Sequence, residues 1–439
     1  MRMPGRRTAD SSNPIPRIPL KARLRAACAP LAVRPFRLHY AARLCSWTGS
    51  AVAPIGLAFA VLHLGAGASG LGLVLAAGVI PQILLLLVGG VVADRFSRDR
   101  VMVWTNVVSA AAEAAAAALL WTGHAQVWHL VVMSAACGAA SAFFNPAAGG
   151  IVVEVVPADM RRQANALLKL SQNLVKIGGP AIGGALVAAA GASWVIAWDS
   201  VTFVAAAVLC ARIALPPARV KVKAGILSDL REGWTGFRSR RWLWIMVVQG
   251  AVVVPAWLVG YQLLGPVYGK QYLGGAAPWG VVVAAFSGGL VLGAAVALMT
   301  AIRRVGITVC LGTGAMALPL AAMAAHLPLP VLAAATGTAG TGLALSMSVW
   351  ASLVQERIAR DQLGRITSYS VLGQTLPVPV GYLAAGPVAN ALGVRTALAA
   401  AAAVIVAATV IPLLLAQIRA LVLAPDVAAA DDALVVAPR

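Results

Sequence analysis

The sequence predicts an all-α membrane protein with twelve transmembrane helices in two pseudo-symmetric six-helix halves. Three observations lead there: apolar residues come in twelve long runs, basic residues fall on alternate connections, and landmarks of the first half recur 202 residues later. With 60% hydrophobic residues, 11% charged residues and a mean hydropathy of +0.86, the chain lacks the charged surface that keeps a soluble domain dispersed.

A hydrocarbon core of about 30 Å needs about 20 apolar residues per helix. Breaks at charges and at Gly, Pro or polar clusters give spans at 39–63, 68–93, 101–121, 127–152, 165–190, 193–214, 243–266, 277–301, 306–326, 329–353, 367–391 and 395–417. The runs are rich in Ala, Leu, Val and Gly and lack the ten-residue alternation of a membrane barrel, so each is read as a helix.

The net charge of +20 is dispersed along the chain, which excludes a nucleic-acid-binding module. Basic residues precede span 1 (Arg2 to Arg37), follow span 2, and recur at 161–162, along 212–241, at Arg303 and Arg304, at 357–365 and in the C-terminal tail. The opposite connections hold only Lys270 and Arg395. This is the positive-inside pattern with both termini cytoplasmic in a multi-pass protein of the cell membrane. Residues 1–37 lack an apolar h-region and are read as a disordered basic tail that lies on anionic lipid of the bilayer, not as a signal peptide. The remainder divides into an N-terminal half at 38–215, a cytoplasmic linker at 216–241, a C-terminal half at 242–418 and a tail at 419–439.

The five cysteines are scattered singly, without zinc or disulfide spacing, and the five histidines fall near span ends, so no metal or cofactor is expected. No GxxxxGK[ST] occurs, and the inward loops carry no His/Asp or Cys/His constellation. Both ATP hydrolysis and an enzymatic role are therefore unsupported.

The repeat is read from position. "EVVPADMRRQAN" from Glu154 aligns with "ERIARDQLGRIT" from Glu356, and the same 202-residue offset pairs Asp159 with Asp361, Gly179 with Gly381 and Gly184 with Gly386. Duplicated six-helix units that hold a substrate between them are the layout of many secondary transporters.

The densest charge lies in "GGVVADRFSRDR", residues 89–100. Taken alone, Arg98 and Arg100 are either positive-inside anchors or working residues. Asp94, at a helix end beside Arg95, can accept charge-assisted hydrogen bonds or face the N-terminus of another helix, and Gly90 would let that helix approach. The pattern Gly90-x-x-Ala93-Asp94-Arg95-x-x-Arg98-x-Arg100 resembles the loop 2–3 signature of the major facilitator superfamily. "ADRF" with its spaced arginines resembles the drug and natural-product (siderophore or macrolide type) exporter branch, as do "FFNPAAGGIVVEVVPADMRRQANAL", "GGPAIGGALV" and "GRITSYSVLGQTLPVPVGYLAAGP". The resemblance covers about residues 36 to 417 and implies the major facilitator fold, a small-molecule substrate, protons as coupling ion and a monomer. It also implies a cytoplasmic latch: Gly90, Asp94, Arg95, Arg98 and Arg100 against the start of span 11 at Gly364, Arg365 and Ser368. On that reading Asp94→Asn abolishes transport and leaves expression intact.

In span 5, Arg162, Asn165, Lys169, Gln172, Asn173 and Lys176 recur at three- and four-residue spacing and share one helix face. The lower residues can snorkel to the interface. Lys176 lies about halfway across, where a cation needs protein, water or a counter-charge: either it pairs with a buried acid or it lines a cavity for an anionic or carbonyl-rich substrate. Gly179-Pro180-x-x-Gly183-Gly184 resembles the family's antiporter motif, although Val175 stands where the family has a glycine, and favours export. Glu113 and Asp199 are either proton-coupling sites, as carboxyls in low dielectric, or partners of Lys176 or Arg43. The family's basic residue on span 4 is absent. Ser370, Gln374 and the Pro377/Pro379 pair of span 11 line the cavity or pack helices. The reading is a proton-coupled exporter of a drug-like or natural-product molecule working by alternating access. An importer or narrow-specificity metabolite carrier of the same fold is the alternative, and a non-transporting receptor or scaffold the remote one.

Overall fold

The computed structural model describes residues 28–213, 234–300, 302–358 and 360–423. After a single turn at Ala29–Ala32 the helices are α1 Arg34–His63, α2 Gly67–Arg95, α3 Arg98–Trp121, α4 Val127–Val155, α5 Arg161–Ala190 and α6 Ala192–Ala211. The second half holds α7 Arg241–Tyr272, α8 Ala276–Met299 and α9 Val305–Ala324, then α10 Leu329–Arg357, α11 Arg360–Thr375, α12 Val378–Leu392 and α13 Val394–Leu414. No strand occurs among the described residues beyond an isolated bridge between Arg304 and Val422. The tail expected over 1–37 lies outside the described residues to position 27 and is already helical from Arg34; the linker to 233 and the final tail from 424 also lie outside them.

Eleven of these helices are long and apolar enough to cross a membrane. The eleventh predicted span, 367–391, is broken: Leu376 and Pro377 separate α11 from α12, because proline there, reinforced by Pro379, removes backbone donors and clashes with the preceding turn. α7 is also irregular, passing through a π-helical segment at Leu258–Leu263 just after Pro255. Most other helices outrun their apolar spans on the side carrying the chain termini, as with Arg34 to Arg37 and Val153 to Val155, since a helix need not end where hydropathy does.

The two halves repeat one packing scheme. α1 packs on α5 and α6, α2 on α4, and α3 on α4 and α6; α7 packs on α11 and α13, α8 on α10, and α9 on α10 and α13. The repeat extends to single residues. Gly191 and Gly393, 202 residues apart, turn the chain from α5 into α6 and from α12 into α13 at φ +93° and +83°, a region open to glycine. Gly179 seats Ala51 of α1, and Gly381 seats Pro255 and Val259 of α7.

The halves meet through α5 with α8 and α2 with α12. A Cβ on Gly184 would lie 2.8 Å from Ala276 O and from Gly280 Cα, and one on Gly386 would overlap the Ser69 backbone. Gly280 sits over the Pro180 carbonyl as Gly72 sits over the Tyr382 carbonyl, the two carbonyls being 202 residues apart. Asn390 Nδ2 donates to Ser69 Oγ at 3.2 Å, and Lys270 Nζ to the Leu62 carbonyl. These contacts all lie on the side away from the termini, called here the distal side. There a single apolar core runs through both halves, from Leu62, Leu71 and Leu130 to Trp257, Leu320 and Leu398. On the termini side the halves carry separate cores, one around Phe36, Met102 and Ile151, the others around Val309 and Leu353 and around Leu243 and Ile366. Among the described residues the bundle is thus closed at the distal end and parted at the termini end.

Candidate functional site

The polar face of α5 is exposed along the parting between the halves. Lys169, Asn173 and Lys176 are exposed, while Ser171, Gly179 and Gly183 are buried on the neighbouring face. That buried face packs on α1: Tyr40 bonds Ser171, and a Cβ on Gly183 would lie 3.0 Å from Val52 Cα. On the other flank Ser287 Oγ of α8 donates to the Lys176 carbonyl at 3.0 Å. The polar stripe therefore points into the cleft. The Lys176 ammonium has no acid partner among the described residues; its charged neighbours are Lys169 and Arg43.

Deeper in the N-terminal half, Glu113 of α3 and Asp199 of α6 face each other. Neither meets Lys176 or Arg43. Both are buried, 7% and 2% exposed. Ser200 Oγ fixes the two helices together by donating to the Ala110 carbonyl at 2.8 Å, and Thr202 Oγ1 donates to Asp199 Oδ1 at 3.1 Å. Cys137 Sγ of α4 reaches Glu113 Oε1 at 4.0 Å, while Glu113 Oε2 has no donor. Two ionised carboxylates are acceptors only, so a bond between them requires a proton on one. α1 gives this pair its room through Gly49, where a Cβ would overlap both Asp199 Oδ1 and Thr202 Oγ1.

Next to the acid pair, a cavity of about 210 Å³ opens among α1, α3, α4, α5 and α6, lined by Arg43, Asn106, Ser109, Cys137, Asn145 and Gln172 with Trp47, Phe144 and Phe203. The Arg43 guanidinium lies 4.6 Å from the Trp47 ring centre and 5.0 Å from that of Phe144. Cation–π contacts return about 2 kcal/mol, less than the several kcal/mol that desolvating an unpaired cation costs. Solvent or solute in the cavity has to supply the difference.

The termini-side cluster is described in part: Asp94, Gly364 and Arg365 have their side chains outside the described residues. Arg95 and Arg100 are exposed, and Gly90 faces open space; the close helix approach is made one residue earlier, where a Cβ on Gly89 would overlap the Ala142 carbonyl of α4. Arg98 Nε pairs with Glu154 Oε1 at 3.0 Å, across the position of Gly150, where a Cβ would fall on the guanidinium. Gly150→Ala is expected to displace Arg98 from Glu154. The pair is partly exposed, 22% at Arg98 and 43% at Glu154, and contributes about 1 kcal/mol or less, so melting should shift little, and Gly150→Ala/Glu154→Gln should be no less stable than Gly150→Ala alone. In α11, Gln374 is wedged against Gly250 of α7, and Ser370 Oγ donates to its own helix at Ile366 O, 3.1 Å.

Not legible in the sequence were the roles of Gly49, Gly150, Asn106 and Asn145, nor that Arg43 has no acid partner among the described residues. The asparagines had a signal, being amides in apolar spans; the glycines had none, because their role is the volume left for a side chain on another helix.

The Major Facilitator Superfamily model matches residues 40–381. The chain is 27% identical over 397 residues to the multidrug efflux pump Tap of Mycobacterium tuberculosis, covering 88% of this chain and 94% of that protein. It is 20% identical over 370 residues to macrolide efflux protein A of Streptococcus pyogenes, covering 82% and 90%. The crystal structure of a bacterial homologue of the iron transporter ferroportin in an inward-facing state shares the fold at a TM-score of 0.67 and 18% identity, over 88% of this chain and 99% of that one. Twelve predicted spans, a packing scheme repeated between two halves and a family match over most of the chain agree: this protein belongs to the major facilitator superfamily and is a membrane transporter, not an enzyme.

Proposed function

We propose that the chain is a monomeric proton-coupled exporter of a drug-like or natural-product small molecule in the plasma membrane, with both termini inside. The observation that carries this reading is the buried Glu113–Asp199 pair beside a cleft open on one side only. Arg95, Arg98, Arg100, Arg161, Arg162 and Arg357 ring the termini side, which the positive-inside rule makes cytoplasmic. The described conformation then takes substrate from the cytoplasm. Rocking about the α5–α8 and α2–α12 contacts opens the distal side, and the acid pair exchanges its proton between the two states. Gly90, Asp94, Arg95, Arg98, Arg100, Gly364 and Arg365 serve as the latch when the cytoplasmic side closes, and Lys169, Gln172, Asn173 and Lys176 face the substrate. The efflux names of the two curated relatives support the outward direction.

Lys176→Ala is expected to leave expression and melting within about 0.5 kcal/mol of wild type and to change the substrate profile, with Lys176→Arg restoring it; equal loss of expression in both variants would assign the lysine a structural role. Direction is tested with everted and right-side-out vesicles energised by respiration and given a panel of macrolides, siderophore-like anions and lipophilic cations. Accumulation in everted vesicles alone, abolished by a protonophore, is the expected result. Accumulation in right-side-out vesicles would make the protein an importer.

A further inference from the structure

We infer that the cavity around Arg43 is an oxyanion subsite, and that the substrate is an amphiphile carrying a carboxylate or an equally compact oxyanion. Its volume, about 210 Å³, falls below the roughly 300–1,000 Å³ of sites that enclose a whole drug-sized ligand. It suits a head group, with the rest of the molecule in the cleft.

The lining sets the sign of that head group. Arg43 has no carboxylate at ion-pair distance among the described residues, and the guanidinium presents a fork of donors that matches a carboxylate. Neither Asn145 nor Gln172 is committed to a protein hydrogen bond among the described residues, so their amides are free to donate. Asn106 spends one donor on the Met102 carbonyl at 2.6 Å and keeps its oxygen and second hydrogen. Lys176, within electrostatic range of both Arg43 and Lys169, adds positive charge near the cavity. The acids nearby are turned to each other: Glu113 and Asp199 form their own pair, and Cys137 stands between Glu113 and the cavity. Trp47, Phe144 and Phe203 supply the apolar wall for the carbons next to the oxyanion. A lipophilic ammonium finds a cation and no counter-charge here.

This rests on the exporter reading only where it calls the anion a substrate. The test needs no transport, so failure of either leaves the other standing. The full chain is purified with its five cysteines replaced by serine and Ser141→Cys introduced, since Ser141 lines the cavity. Labelling rates are measured with three methanethiosulfonates: the anionic sulfonatoethyl, the cationic trimethylammonioethyl and the neutral methyl reagent. A field from unpaired cations in a confined site raises the anion-to-cation rate ratio about tenfold or more. Arg43→Gln should lower that ratio at least about fivefold without changing the neutral rate, which also reports that the variant is folded, and Arg43→Lys should keep it. Hexanoate, and not hexylammonium, should slow labelling by the neutral reagent, and only while Arg43 is present. A ratio near one, a ratio indifferent to Arg43, protection by hexylammonium, or no labelling by the neutral reagent would each overturn the proposal.

Discussion

Asp199→Asn is expected to stop proton movement through the protein while leaving it folded and able to bind its substrate. Asparagine has nearly the shape of aspartate and still accepts the Thr202 hydroxyl that reaches Asp199 Oδ1 at 3.1 Å, but it cannot exchange a proton with Glu113. Because the two acids face each other in a buried site, Glu113→Gln should have the same effect and the double variant should be no worse than either single one, since residues acting as a unit are not additive. Gly49→Ala reaches the same site through volume. A methyl there would overlap Asp199 Oδ1 and Thr202 Oγ1 and lie 2.9 Å from Asp199 Cα, an overpacking that costs about 1–3 kcal/mol. Its signature differs: lowered thermal stability together with lost proton flux, where the isosteric variants lose flux alone. Proton flux in Asp199→Asn at the wild-type rate would remove this pair from the coupling step.

The second large effect is expected at the distal interface. Gly386→Val would drive a side chain into the Ser69 backbone, and Gly184→Val one into Ala276 and Gly280, so α2 and α12, or α5 and α8, must separate. A penalty of about 1–3 kcal/mol falls on the conformation that closes the distal side, a shift of roughly 5–150-fold in its population. Because the two contacts are related by the repeat, the two variants should behave alike. The readout is oxidative cross-linking of Ser69→Cys with Asn390→Cys, whose side chains replace a pair bonded at 3.2 Å. Cross-linking should be efficient with Gly386 present and fall sharply in Gly386→Val; equal yield in both would mean that this interface does not hold the distal side shut.

The repeat was legible in the sequence because glycines that set helix contacts cannot drift without breaking both halves. The offset that pairs Gly179 with Gly381 and Gly184 with Gly386 joins residues with equivalent neighbours. Spans were legible as apolar lengths, and their ends less so, because Arg34 to Arg37 and Glu356 to Arg357 continue helices beyond the apolar run. Pro377 and Pro379 stand in the sequence at the place where the span divides into α11 and α12. The candidate site was legible as residue types and illegible as pairs. Glu113, Asp199, Arg43 and Lys176 each stand out as charges in apolar helices; which acid meets which base is a property of helix rotation. The acids turn to each other, Lys176 to the cleft and Arg43 to the cavity beside the acid pair, an arrangement that spacing along separate helices does not encode.

Proton exchange through the acid pair is read from the internal pH of energised everted vesicles as a transported compound from the panel is added, for the wild type and for Asp199→Asn at matched expression. The compound is expected to raise internal pH in wild-type vesicles, as protons leave in exchange for it, and to leave it unchanged with Asp199→Asn. Accumulation of the compound with no change in internal pH in the wild type, or the same rise in both, would contradict proton exchange through the Glu113–Asp199 pair.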